Sequence, residues 1–403
     1  MTPSHDSTRA AHRAVLVAFA LAGIAFATWA SRLPDIKAQL GLTSGELGIT
    51  LLTGAVGSLL ALPLAGGIAE RIGAAATVMT GAAFAVTGII GIGLGVDVAE
   101  NRWLVSVALF ITSIGISLWD VAMNLEGTVV ERARGRATMP LYHALFSGGT
   151  VLAALLGAVL VWAEVPILLH LSVVGLIVLV VAERARRSFL PHRPVAAAGS
   201  EGTGDGPPSP SARSAWMEPR TLAIGLFVLV AAFTEGTAND WIAVAFVDGH
   251  EVPAWAGVVA FALFLTAMTT GRILGTAWLD RWGRTRVLVP MLVLAGIGSV
   301  LVVFGSVPLA YLGTVLWGLG VSLGFPVGMS AAADDPRRAA ARMSVVATIG
   351  YSAFIAGPPV LGLLGDHVGI LRALLLVAGM LLIALATVTT LTPRPEREPA
   401  PTP

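Results

Sequence analysis

The chain has no cysteine, and Lys37 is its single lysine among 403 residues. The first absence excludes disulfides, thiolate metal sites and cysteine nucleophiles. Charge is scarce too. Asp, Glu, Lys and Arg make up 12% of the chain, against roughly a quarter in a soluble domain. Apolar residues make up 56%, and the mean hydropathy is +0.83. Too little polar surface exists to wrap a water-soluble globule of this size, so the solvent is lipid. The net charge of +1 gives no sign of a nucleic-acid partner, and the 7 His are scattered without metal-ligand spacing. No Gly-Lys-Ser/Thr loop is present to cradle a nucleotide phosphate, which excludes ATP hydrolysis by this chain. No arrangement supports nucleophilic catalysis. The reading is a protein that is not an enzyme and carries no cofactor and no metal.

What is present is long apolar runs. A helix needs ~20 apolar residues to cross a ~30 Å hydrocarbon layer. Spans are predicted at 14–34, 46–68, 75–96, 103–126, 139–162 and 165–184, and again at 221–247, 254–278, 286–305, 308–331, 342–365 and 369–391. The runs are too long for barrel strands and lack their alternation. The fold class is therefore all-α integral membrane, with twelve transmembrane helices in two six-helix bundles. The proposed division is a tail 1–13, a first bundle 14–185, a linker 186–219, a second bundle 220–391 and a tail 392–403. The linker is rich in Gly, Pro and Ser and cannot pack a core. With both termini cytoplasmic, 20 of the 25 basic residues fall on the inner side and 4 on the outer, while Arg272 lies inside a span. That bias sets the orientation. The expected location is a bacterial cytoplasmic (inner) membrane, crossed many times, by a monomer.

The two halves repeat. Glu70-Arg71-Ile72-Gly73 and Asp280-Arg281-Trp282-Gly283-Arg284-Thr285-Arg286 each sit between two apolar runs, offset by 210 residues. Gly115-Ile116-Ser117-Leu118 matches Gly320-Val321-Ser322-Leu323 at an offset of 205. Repeated halves in so apolar a chain point to a transporter. The chain resembles the major facilitator superfamily over nearly its whole length, and Gly275 with the Asp280–Arg286 turn is a close match to that family's cytoplasmic loop motif. The first copy is degenerate, with Ala74 and Ala75 where basic residues are usual. Physically, Glu70, Arg71, Gly73, Asp280, Arg281, Gly283, Arg284 and Arg286 form a candidate gate. Charges at helix ends meet backbone dipoles and neighbouring helices, and they also serve simply to stop helices at the interface.

Ionisable groups within the spans are costly in lipid and mark function. Asp120 is the leading candidate for proton coupling, because desolvation disfavours a carboxylate anion and suits a lone acid to take up and release a proton. Asn124 lies one turn on, on the same face, and joins the substrate cavity. The acid-x-x-x-Asn spacing resembles the fucose-permease group, in which a span-four carboxylate is tied to proton coupling. The position equivalent to Asp120 in the second half is Phe325. In span seven, Glu235 joins the proton-coupling candidates, and Asn239 and Asp240 join the substrate cavity, because the resemblance places spans one, four, seven and ten around a central cavity. Trp29 and Trp119 are candidate stacking surfaces. Arg32 either neutralises Asp120 or Glu235, binds an anionic group, or snorkels to the outer interface. In span five, His143 joins the substrate cavity as a group that titrates near neutral pH, or stays structural. Arg272 is expected to be buried against an acid or backbone carbonyls. Gly350-Tyr351 and Gly357-Pro358-Pro359 with Gly362 are expected to bend and thin span eleven for close packing.

The reading is a secondary transporter of a small organic solute, coupled to protons and working by alternating access. In the superfamily it resembles, drug–proton antiporters usually carry an arginine in span four and a Gly-Pro-rich motif in span five; this sequence has neither, so the resemblance leans towards symport of a sugar or metabolite. Two others stay open: proton-antiport efflux of a drug or secondary metabolite, and a non-transporting receptor that docks partners through the linker. Sugar, polyol, amine and aromatic metabolite all fit the residues named.

Overall fold

The computed structural model describes residues 5–135, 138–190, 215–335 and 338–392. Most of the 186–219 linker, Arg136, Arg337 and the ends of both tails lie outside the described residues. Twelve helices are long and apolar enough to cross a membrane. The first six are Asp6–Gln39, Ser44–Ile72, Ala74–Asp97, Arg102–Arg134, Met139–Trp162 and Ile167–Arg186. The second six are Pro219–His250, Ala254–Trp282, Arg284–Phe304, Val307–Ala332, Ala339–Val368 and Ile370–Leu391. They are called spans one to twelve. Several run well past their apolar stretch: span four continues to Arg134 and span seven to His250. Propensity and local caps carry a helix beyond the bilayer core, so hydropathy marks the crossing and not the helix end.

Three spans are interrupted, span twelve by a one-residue break at Leu374 between Ile370–Ala373 and Leu375–Thr387. Span one stops at Ala30 and restarts at Leu33–Gln39, where Pro34 occupies a first-turn position that needs no N–H. Span ten breaks between Val307–Val321 and Gly324–Ala332. The turn between spans two and three is a single glycine, Gly73, with φ 87° and ψ 153°; Gly283 repeats it between spans eight and nine with φ 77° and ψ 164°. Glycine is the residue that tolerates this region of backbone space, so the repeated motif is a repeated geometry. The matched Gly115 and Gly320 also do equivalent work. A Cβ on Gly115 would lie 2.5 Å from the Gly81 carbonyl oxygen of span three, and one on Gly320 would lie 2.4 Å from the Met291 carbonyl oxygen of span nine. Both pairs of helices meet backbone to backbone, as small residues permit in lipid.

An even number of crossings puts both described termini at one end of the bundle, here the terminal end; the opposite end is the far end. Span two packs on span eleven, and span five on span eight. At the far end this contact is tight: a Cβ on Gly48 would lie 2.5 Å from the Pro358 carbonyl oxygen, and one on Gly362 would lie 2.4 Å from that of Ser44. The close packing expected of span eleven is present, and the helix runs through Pro358 and Pro359 without a break. Towards the terminal end the contact lapses, and a Cβ on Gly66 or Gly67 of span two would meet nothing within 4 Å. The bundle is closed at the far end and parted at the terminal end.

Candidate functional site

A cavity of about 360 Å³ lies on the axis, walled by spans one, two, four, five, seven and eleven. Its charged residues are Asp120 and Asp240. Trp29, Phe146, Tyr351 and Phe354 supply aromatic surface, and Ser58, Ser113 and Ser117 are the hydroxyl-bearing serines of the wall. Most of the rest is Ala, Leu and Ile. A larger cavity of about 580 Å³ opens at the far end beside Asp248 and Arg372. It contains none of the candidate site residues and sits outside the axis.

Helical spacing brings Asn124 back over Asp120. The Asn124 amide donates to the Asp120 carbonyl oxygen at 2.9 Å and to its carboxylate at 3.3 Å. No basic side chain pairs with Asp120 among the described residues. Asp240 likewise has no ion pair or hydrogen bond among them. Trp29 is 7% exposed, sits edge-to-face with Phe26 at 5.7 Å, and leaves its indole N–H without an acceptor.

Glu235 is placed differently from Asp120. The Arg272 guanidinium donates to both its carboxylate oxygens, at 2.8 and 2.9 Å. It also donates to the Ser322 carbonyl oxygen at 3.3 Å. That carbonyl is freed where span ten breaks, so one guanidinium satisfies the break and neutralises the acid, tying spans seven, eight and ten. Glu235 does not line the cavity, and Arg272 has both kinds of partner expected for it. Arg32 neither snorkels nor reaches Asp120 or Glu235. It is 3% exposed and donates to His170 Nδ1 at 2.9 Å, to Asp35 at 2.8 Å and to the Val165 carbonyl oxygen at 2.8 Å. Five donors in a rigid fork suit it to stitch span one to the start of span six. Trp119 is fully buried against Gly81 between spans three and four. Asn239 lies outside the cavity wall with its carbonyl oxygen unpartnered. His143 does not line the cavity; it is exposed and packs edge-on against Phe19 at 5.2 Å.

The candidate gate turns lie at the terminal end. Arg281 stacks on Trp282 with 5.5 Å to the ring centroid, and Arg284 pairs with Asp334 at 2.7 Å. Glu70, Arg71, Asp280 and Arg286 are exposed there, beside the glycine turns of Gly73 and Gly283.

Sequence reasoning missed the walls from spans two and eleven, chose His143 where span five contributes Phe146, and missed His170. Phe146, Tyr351 and Phe354 are ordinary apolar-run residues with no local signal. For His170 the signal was its being a polar residue within a span.

Twelve spanning helices, halved by an internal repeat around an axial cavity, define a multi-pass membrane transporter. The Major Facilitator Superfamily profile matches residues 15–275 and 252–403, and the chain belongs to that family. It is 30% identical over 382 residues to an uncharacterised MFS-type transporter of Yersinia pestis, covering 93% of this chain and 94% of that one. Among solved structures it is similar to the nucleoside transporter NupG, with TM-score 0.71 and 15% identity over 95% of this chain and 98% of that chain. It is also similar to a point mutant of the Escherichia coli fucose:proton symporter FucP, with TM-score 0.64 and 17% identity over 94% and 98%. At these identities the two structures show a shared fold.

Proposed function

We propose that the chain is a proton-coupled secondary transporter of a small organic solute, with Asp120 as the proton carrier. It sits in a bacterial inner membrane with both termini in the cytoplasm, as the arginine bias indicates. The terminal end is then cytoplasmic, and the arrangement described above is inward-open. The observation that carries the reading is Asp120 itself, a carboxylate on the wall of the axial cavity with one amide partner and no counter-charge. An intramembrane acid of this kind marks a coupling site. Alternation would rock one bundle against the other about the cavity, with the glycine turns at Gly73 and Gly283 bordering the moving cytoplasmic ends.

The test begins with a metabolite panel screened by thermal shift, since a ligand of the folded state raises its stability. The ligand found is then followed in proteoliposomes. Asp120→Asn is expected to keep solute exchange between equal concentrations and to lose accumulation driven by a pH gradient. Accumulation that persists unchanged in Asp120→Asn rejects Asp120 as the carrier.

A further inference from the structure

The charge balance of the axial cavity narrows the solute class. We propose that the cavity binds an organic cation: an amine-bearing solute with an apolar or aromatic face and an oxygen acceptor. The inference rests on reading this cavity as the transport site.

Asp120 and Asp240 are the charged groups of the wall, and no Lys, Arg or His joins them. The guanidiniums nearest the axis in the fold are already engaged. Arg272 is held by both oxygens of Glu235, and Arg32 by Asp35, His170 and Val165. Two carboxylates therefore face a shared space without a counter-ion from the protein. An anionic solute would meet repulsion and no partner. A sugar or polyol needs several donors and acceptors around it, because each hydroxyl buried without a partner is costly. Apart from the two acids, the wall offers three serine hydroxyls, the Tyr351 phenol and the Trp29 indole N–H, set singly among alanines, leucines and phenyl rings. An ammonium group satisfies a carboxylate by a charge-assisted hydrogen bond. It is also drawn to the faces of Trp29, Phe146, Tyr351 and Phe354.

A second observation points the same way. Trp29 is 7% exposed, lines the cavity, and its indole N–H has no acceptor. The buried indoles of Trp119, Trp241 and Trp317 also lack an acceptor, but of the four Trp29 alone lines the cavity, where a ligand oxygen beside the ammonium group would complete it. The volume of about 360 Å³ is near the small end of the ~300–1,000 Å³ range of ligand pockets, which fits a solute of one ring and a short amine arm.

The test uses the full-length protein in detergent and isosteric probes that differ in charge: 2-phenylethylammonium, benzyltrimethylammonium, 2-phenylethanol and phenylacetate. Both cations are expected to raise the melting temperature in a dose-dependent way, and the alcohol and the anion are not. Asp240→Asn is expected to weaken 2-phenylethylammonium binding at least about tenfold. The charge series on the wild-type protein needs no variant to fold. Equal or greater stabilisation by the alcohol or the anion overturns the proposal, as does stabilisation by none of the four, or an unaltered cation response in Asp240→Asn. Cation binding with pH-driven accumulation surviving in Asp120→Asn would retain this inference and reject the coupling reading. Coupling through Asp120 to a neutral solute would do the reverse.

Discussion

At the far end of the bundle, side chains reach from one half to the other. Lys37 pairs with Asp248 at 2.8 Å. Asp366 of span eleven accepts from the Thr43 hydroxyl at 3.1 Å and the Gly45 N–H at 3.0 Å, at the start of span two. A patch formed by Ala158 and Val161 against Val258 closes spans five and eight beside them. At the terminal end the ion pairs seen among the described residues stay within a half. Glu218 holds Arg342 at 2.7 Å and meets Arg338 at 2.6 Å, and Asp334 holds Arg284 at 2.7 Å and Arg220 at 3.1 Å. In the first half, Glu126 accepts from the Leu190 N–H at 2.7 Å. At the far end Lys37–Asp248 and Asp366 join the two bundles, beside Arg32–Asp35 and Arg102–Glu46, which stay within the first half, whereas the charge described at the terminal end fixes loops onto the bundle that carries them. A state with the opposite end open has to exchange these roles, and the exposed Arg71, Asp280 and Arg286 are the groups in place to do so.

Substitutions can break or sharpen that contrast. The largest loss is expected from Arg32→Ala, which leaves His170 and the Val165 carbonyl oxygen buried and unpaired. About 3 kcal/mol should be lost, read as a fall in melting temperature in detergent, and a wild-type melting curve would contradict the network. Next comes Asp366→Ala. Losing a helix-start acceptor costs about 1 kcal/mol, or roughly fivefold in an equilibrium. Because the chain has no cysteine, Ser44→Cys offers a single label there, and its reaction with maleimide should quicken by that factor.

A smaller effect is expected from pH at the terminal end. Burial raises the Glu218 carboxyl, but hydrogen bonds from Arg342 and Thr221 and the charges of Arg342 and Arg338 outweigh it and hold it below its ordinary 4.5. A depressed carboxyl contributes stability that is fully present above its unfolded value and is lost as pH falls through its folded value. The melting-temperature gap between wild type and Glu218→Gln should therefore be constant from pH 7 to about 5 and close on further acidification. A gap that widens in acid would show that the pairing is misread. The smallest change is expected from Asp280→Asn, within about 0.5 kcal/mol, because this exposed acid bridges nothing across the parted end among the described residues. An effect as large as that of Asp366→Ala would erase the difference between the ends.

The architecture was legible because lipid imposes it. Run length gave twelve crossings, and the Glu70–Gly73 and Asp280–Gly283 turns carried their geometry in a glycine that few other residues could replace. Asp120 was legible for the same reason, as an acid where hydrocarbon should be. Partnerships were not. Nothing local marks Arg32 for His170, 138 positions away, or separates Glu235, neutralised by Arg272, from Asp240, which lies five positions on without a partner. Whether an intramembrane acid is spoken for depends on which helix faces it, and that is decided by packing. The aromatic wall was hidden because Phe146, Tyr351 and Phe354 have the same composition whether they face lipid, a neighbour or a solute.

The hold of Asp366 on the start of span two has one more implication. Thr43 keeps a cap of its own, exchanging hydrogen bonds with Glu46, so the helix does not unwind when the acid leaves. The Gly45 N–H has no such reserve. Parting the bundles here strands that donor unless a solvent molecule arrives as the carboxylate departs. Solvent already reaches the exposed Asp366 and Thr43, so separation at this face passes the Gly45 donor from carboxylate to water.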